Sequence, residues 1–225
     1  MPQRRASKPQ QQHLQHRDTH FRTPVAGTRW RVASLYAWIA LSVLFLPSPA
    51  SAHSGTGLQG GLAAGFAHPF SGTDHMLAML SVGLWGAILG RPLITLLPMV
   101  FPAVMAVGGV LGIAGVPIPP VELGIAMSVL VLGGLVLGAV RPPIWAACII
   151  VAFFAVFHGY AHGQELPSAA DPVGYSAGFV VATGFLHLIG IGIGTIRDWP
   201  GGANALRCAG GLVALCGALF LGQAL

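Results

Sequence analysis

Charge is what this sequence has least of. Only 8% of its 225 residues are Asp, Glu, Lys or Arg, against roughly 25% in a soluble domain. That deficit excludes an ordinary water-facing surface. A hydrophobic content of 54% and a mean hydropathy of +0.74 point to a bilayer as the solvent. Basic residues are scarce too over most of the length, although the formal net charge is +5. Seven of the eleven lie in the first 31 positions: Arg4, Arg5, Lys8, Arg17, Arg22, Arg29 and Arg31. From residue 53 onward Arg91, Arg141, Arg197 and Arg207 face Asp74, Glu122, Glu165, Asp171 and Asp198, a balance of −1. The high pI therefore describes a leader and implies no nucleic-acid partner. Cysteine is sparse: Cys148, Cys208 and Cys216 form no CxxC pair and sit in apolar stretches. That excludes a structural zinc site and a disulfide framework and leaves them as small packing residues. There is no nucleotide-binding motif and no repeat at a fixed period.

What is present begins with a leader. Residues 1–31 are polar and basic, an apolar run follows from Val32 to Leu46, and Ala50 and Ala52 form an A-x-A-like site. This is the pattern of a secretory signal peptide. The 15-residue apolar run is short of the roughly 20 residues that span a bilayer. The expected organisation is a cleavable leader over 1–52 and a membrane domain over 53–225, with His53 the new N-terminus.

Apolar segments then run over about 57–90, 93–115, 121–140, 143–163, 172–196 and 203–225. Each is bounded by Pro, Gly or a charge, as at Gly90-Arg-Pro92, Pro117-Ile-Pro-Pro120 and Arg141-Pro-Pro143. The expected fold is all-α: a polytopic bundle of about six transmembrane helices. The first segment is over-long and interrupted at His68-Pro69 and Gly72. If it crosses once, with its start outside, all four arginines fall on the inside, as the positive-inside rule asks. The first helix is therefore read as broken over 57–73, with both mature ends periplasmic in a bacterial inner membrane. The many glycines, such as Gly108-Gly109 and Gly133-Gly134, are read as sites of close helix approach.

Ionisable groups inside a bilayer cost several kcal/mol and mark pathways or sites. Here they cluster. The first group is His68-Pro-Phe-Ser-Gly-Thr-Asp74-His75, and the second is Phe157-His158-Gly-Tyr-Ala-His162-Gly-Gln-Glu165. His158 and His162 are four apart and Glu165 follows three later, so all share one helix face. Asp74 and His75 open a helix beside a Pro/Gly break, where freed backbone groups can serve ions. His187 stands alone in a span and is read as packing; Met76 and Met79 are read as packing or lipid-facing. The donors are nitrogen and oxygen without thiolate, which suits Ni, Co, Cu(II) or Zn rather than Cu(I). Protonation of the histidines should compete with metal, so metal binding should weaken below about pH 6.

At these two motifs the chain resembles the HupE/UreJ family of nickel and cobalt permeases. His68, Asp74 and His75 meet a His-x5-Asp-His pattern. Phe157, His158, Gly159, Ala161, His162, Gly163 and Glu165 meet a Phe-His-Gly-x-Ala-His-Gly-x-Glu pattern. The resemblance implies secondary uptake of Ni²⁺ or Co²⁺ as substrate, without an organic cofactor, feeding metalloenzyme or cobalamin maturation. It places metal contacts on His68, Asp74, His75, His158, His162 and Glu165, with Glu122 and an N-terminal His53 as further candidates. The expected partners are the metal ion, the lipid bilayer and, as a possibility left open, further copies of the chain. The rival readings are a haem-binding electron-transfer protein, a metal-dependent membrane enzyme and an accessory subunit without transport of its own.

Overall fold

The computed structural model describes residues 58–166 and 171–225; His53 and the leader lie outside the described residues, as does the side chain of Glu165. Among the described residues there are seven α-helices and no strand. They are α1 (Leu58–Ala67), α2 (Thr73–Leu89), α3 (Leu93–Ile113), α4 (Val121–Leu137), α5 (Ile144–Glu165), α6 (Pro172–Gly194) and α7 (Gly202–Ala224). A 3-10 turn, His68–Phe70, joins α1 to α2, and another, Thr195–Asp198, follows α6.

Four helices, α3, α5, α6 and α7, are long and apolar enough to cross a membrane. At 17 residues each, α2 and α4 reach about 25 Å, a little under the hydrocarbon thickness. For α2 this shortness carries little cost. Thirteen of its residues are buried, and it touches α3, α4, α6 and α7, so protein rather than lipid surrounds it.

The broken first helix follows from glycine contacts. A Cβ at Gly61 would meet Asp171, one at Gly65 would come within 1.9 Å of the Tyr175 carbonyl, and one at Gly83 within 2.1 Å of the His187 carbonyl. Reciprocally, Gly178 abuts Leu62, Gly190 abuts Leu80 and Gly194 abuts Ala87. Rising numbers on α1 and α2 match rising numbers on α6. Both short helices therefore run parallel to α6, one after the other, as a single interrupted crossing. The same device joins α3 to α5 in parallel, where Gly108 meets Val156, Gly112 meets Tyr160, Gly159 meets Met105 and Gly163 meets Gly109. Helices α4 and α7 pack antiparallel, Gly133 against Ala214 and Gly217 against Leu130. These directions are those of six alternating crossings.

Polarity is inverted relative to a soluble protein. Met99, Val110, Trp145, Ile149, Val181 and Leu215 are exposed. Buried instead are Ser81, Ser128, Thr183 and the imidazoles of His75, His158, His162 and His187. Met76 and Met79 are buried as packing residues. The cysteines are free, with Cys148 and Cys216 half-buried and Cys208 exposed, so the packing role expected of them is only partly realised.

The two ends of the bundle differ chemically. At one end the Arg197 guanidinium donates to the Ala87 and Ile88 carbonyls at 2.6 and 2.9 Å, and Arg207 Nε donates to the Leu137 carbonyl at 2.8 Å. These carbonyls belong to the last turns of α2 and α4, which have no intrahelical donor. Arg91 and Arg141 lie in the connections at the same end. The opposite end holds the starts of α1, α4 and α6 and the finish of α5, and with them Glu122 and Asp171; Asp74, at the start of α2, lies inward of α1 and borders the same cavity as Glu122. Asp171 is spent on a cap: its carboxylate accepts from the Val173 and Gly174 amides, with Pro172 opening α6.

Candidate metal-binding site

Both motifs deliver their side chains to one place near the carboxylate-bearing end. Gly159 and Gly163 let α5 lie against the backbone of α3, which turns His158 and His162 on the adjoining face toward α2. Gly124 makes room for the Phe157 ring, since a Cβ there would stand 2.3 Å from it. On the other side, Gly72 begins α2 in an extended conformation without a side-chain cap. A Cβ at 72 would press on Asp74 Oδ1 at 3.0 Å and His75 Nδ1 at 3.3 Å, so glycine leaves the Asp74–His75 pair its space.

The imidazoles form a string. Ring centroids are 4.9 Å apart for His68 and His162, 4.4 Å for His75 and His162, and 4.7 Å for His75 and His158. The 3-10 turn, not a continuous helix face, brings His68 to His162. Phe179 packs on His162 at 4.0 Å and Phe101 on His158 at 5.5 Å.

Hydrogen bonds fix the tautomers of two rings. Asp74 Oδ1 accepts from the His75 backbone amide at 2.8 Å and from its Nδ1–H at 3.0 Å. The lone pair of His75 therefore resides on Nε2. The Ser128 hydroxyl donates to the Ile125 carbonyl at 2.6 Å, leaving its oxygen to accept from His158 Nε2–H at 2.8 Å. The lone pair of His158 therefore resides on Nδ1. Both nitrogens are buried and lack a hydrogen-bond partner among the described residues. A buried acceptor left unpaired costs about 1–3 kcal/mol; a cation would satisfy two at once. Ser128, which sets the second tautomer, was not singled out from the sequence, because a serine within an apolar run carries no signal until its partner is known.

Asp74 is half-buried and also borders a cavity of about 320 Å³ at the ends of α2, α4 and α7, shared with Glu122 and Gln223. Glu122 thus stands at a mouth beside Asp74, not between the histidines. Of the eight candidates, His68, Asp74, His75, His158 and His162 are brought together. Glu122 is one cavity away, Glu165 closes α5, and His53 lies outside the described residues. Among the described residues no group of three or more His, Cys, Asp or Glu side chains is placed to hold a metal ion together.

The sequence model of one protein family, described as HupE / UreJ protein, matches residues 41–220. The chain is also 49% identical over 181 residues to "Protein HupE" of Rhizobium leguminosarum bv. viciae, covering 80% of this chain and 94% of that protein. No solved structure matches.

Proposed function

Taking as premise that the chain belongs to the HupE/UreJ family, we propose that it is a permease for Ni²⁺ or Co²⁺ rather than an enzyme. It sits in the bacterial inner membrane with its mature N-terminus and the carboxylate-bearing end toward the periplasm, and it serves metalloenzyme or cobalamin maturation. The observation that carries this reading is the pair of buried, unpaired lone pairs on His75 Nε2 and His158 Nδ1, held on facing helices 4.7 Å apart between ring centres.

The ion is drawn first to the cavity walled by Asp74 and Glu122, where fixed negative charge raises its local concentration. Asp74 then bridges cavity and interior, since the same carboxylate holds His75. From there the ion exchanges water for imidazole nitrogen in short steps, His75 standing between His162 on one side and His158 on the other. Neutral rings spaced this closely hold a divalent ion loosely enough to pass it on.

Radioactive nickel uptake, with cobalt as competitor, tests the proposal in cells lacking other nickel importers. They express the protein or its His162→Ala and Asp74→Ala variants at equal membrane levels. Saturable uptake that both variants lose is the expected result. Background uptake with the protein present and folded removes the permease reading.

A further inference from the structure

We infer that the path holds a second metal station, deeper in the bundle, formed by His187 and Thr183 of α6 with the Pro98 carbonyl of α3, and shut off from the first by Phe101. This rests on the permease reading above and extends it to a residue that the two sequence motifs leave out.

His187 and Thr183 are both 0% exposed, and Thr183 Oγ1 has no hydrogen-bond partner among the described residues. They stand four apart, on one face of α6. A histidine kept only for packing would have both ring nitrogens satisfied. Here one ring nitrogen is held by the Pro98 carbonyl, and the other has no partner among the described residues. That carbonyl is itself released from the helix, because Pro102, four residues on, has no N–H to donate to it. An unpartnered imidazole nitrogen, with the Pro98 carbonyl against its ring, and an unpartnered hydroxyl one turn away on the same helix face thus stand in the hydrocarbon region.

Their position suits a transit site. Gly83 lies against the His187 backbone, eight residues beyond His75 on α2, which sets His187 about 12 Å deeper. The Phe101 ring, fully buried, stands 5.5 Å from His158 and 5.4 Å from His187. An ion leaving His158 reaches His187 only when this ring swings aside, so the two stations load in turn. One imidazole, one hydroxyl and one carbonyl are neutral N/O donors that suit a borderline divalent ion still carrying water. Without a carboxylate they hold it more weakly than the Asp74-backed cluster, which favours release inward.

The test is nickel uptake by proteoliposomes containing the purified full chain, comparing the unaltered protein with His187→Ala, His187→Gln and Thr183→Val. Capture occurs at the outer cluster. His187→Ala is therefore expected to lower the maximal rate about tenfold, the factor of 1.36 kcal/mol in a barrier, with an unchanged half-saturating nickel concentration. His187→Gln should recover part of the rate, since its amide oxygen can still ligate. A folded His187→Ala protein that transports at the unaltered rate overturns the inference. So does a rate that falls only in step with thermal stability. If His187→Ala is not recovered folded, the volume-conserving His187→Gln and Thr183→Val decide, and unchanged maximal rates in both overturn it. Absence of uptake by the unaltered protein would instead overturn the permease reading.

Discussion

At the scale of single residues, the site depends on which nitrogen of each imidazole carries the proton. Ser128→Ala removes the acceptor of His158 Nε2–H and frees the ring to move its proton to Nδ1, the nitrogen without a hydrogen-bond partner among the described residues. Partners that orient a metal-binding histidine are typically worth 10–100-fold in affinity. Ser128→Ala should accordingly raise the half-saturating nickel concentration about tenfold or more while the protein stays folded, as uptake curves and thermal melts together would show. Asp74→Asn preserves size but offers an amide that can donate to His75 Nδ1, pushing the proton to Nε2. It should lose uptake as fully as Asp74→Ala, and retained uptake would separate charge from tautomer control. The histidines and carboxylates were legible from sequence because they are conspicuous in a charge-poor chain. Ser128 and the roles of single ring nitrogens were not, since a tautomer is set by a partner 30 residues away.

At the scale of elements, glycine sets how closely helices approach, and the approach aims the ligands. Gly159→Ala would place a Cβ 1.9 Å from the Met105 carbonyl, and Gly65→Ala one 1.9 Å from the Tyr175 carbonyl. Neither contact is with a side chain that can swing away, so helices must separate. Each substitution should destabilise the protein by about 2 kcal/mol or more, lowering the melting midpoint in detergent. Gly134→Ala, where a Cβ meets nothing within 4 Å, is the matched control and should melt unchanged. Removing the Arg197 side chain leaves the carbonyls of Ala87 and Ile88 without their donor and should cost about 1–2 kcal/mol. The glycines were legible as packing residues. Which pairs meet was not, because one small residue fits many neighbours equally well.

At the scale of the whole molecule, the separation of carboxylates from arginines gives the bundle a direction. With native cysteines replaced, a cysteine at Ala114, in the connection from α3 to α4, should react with an impermeant reagent added outside intact cells, and one at Trp199 only after the inner membrane is opened. The opposite pattern would invert the proposed orientation. A divalent ion moving inward through neutral imidazoles carries its full charge across the membrane potential, worth about 4.6 kcal/mol per 100 mV for two charges. Nickel uptake into proteoliposomes should rise when the interior is made negative and fall when the potential is collapsed.

The sequence alone determined the apolar, all-helical character of the chain, the interruption of the first helix and which His and carboxylate residues cluster in it. All of these follow from local composition: apolar length, Pro/Gly breaks and the cost of ionisable groups in hydrocarbon. Only the tertiary structure decided how those donors meet. The turn at His68 brings it to His162, Glu122 opens on a mouth rather than standing among the histidines, Ser128 fixes His158, and His187 stands behind Phe101. These are distances between helices remote in sequence, set by where glycines let backbones touch, and no periodicity within one helix encodes them.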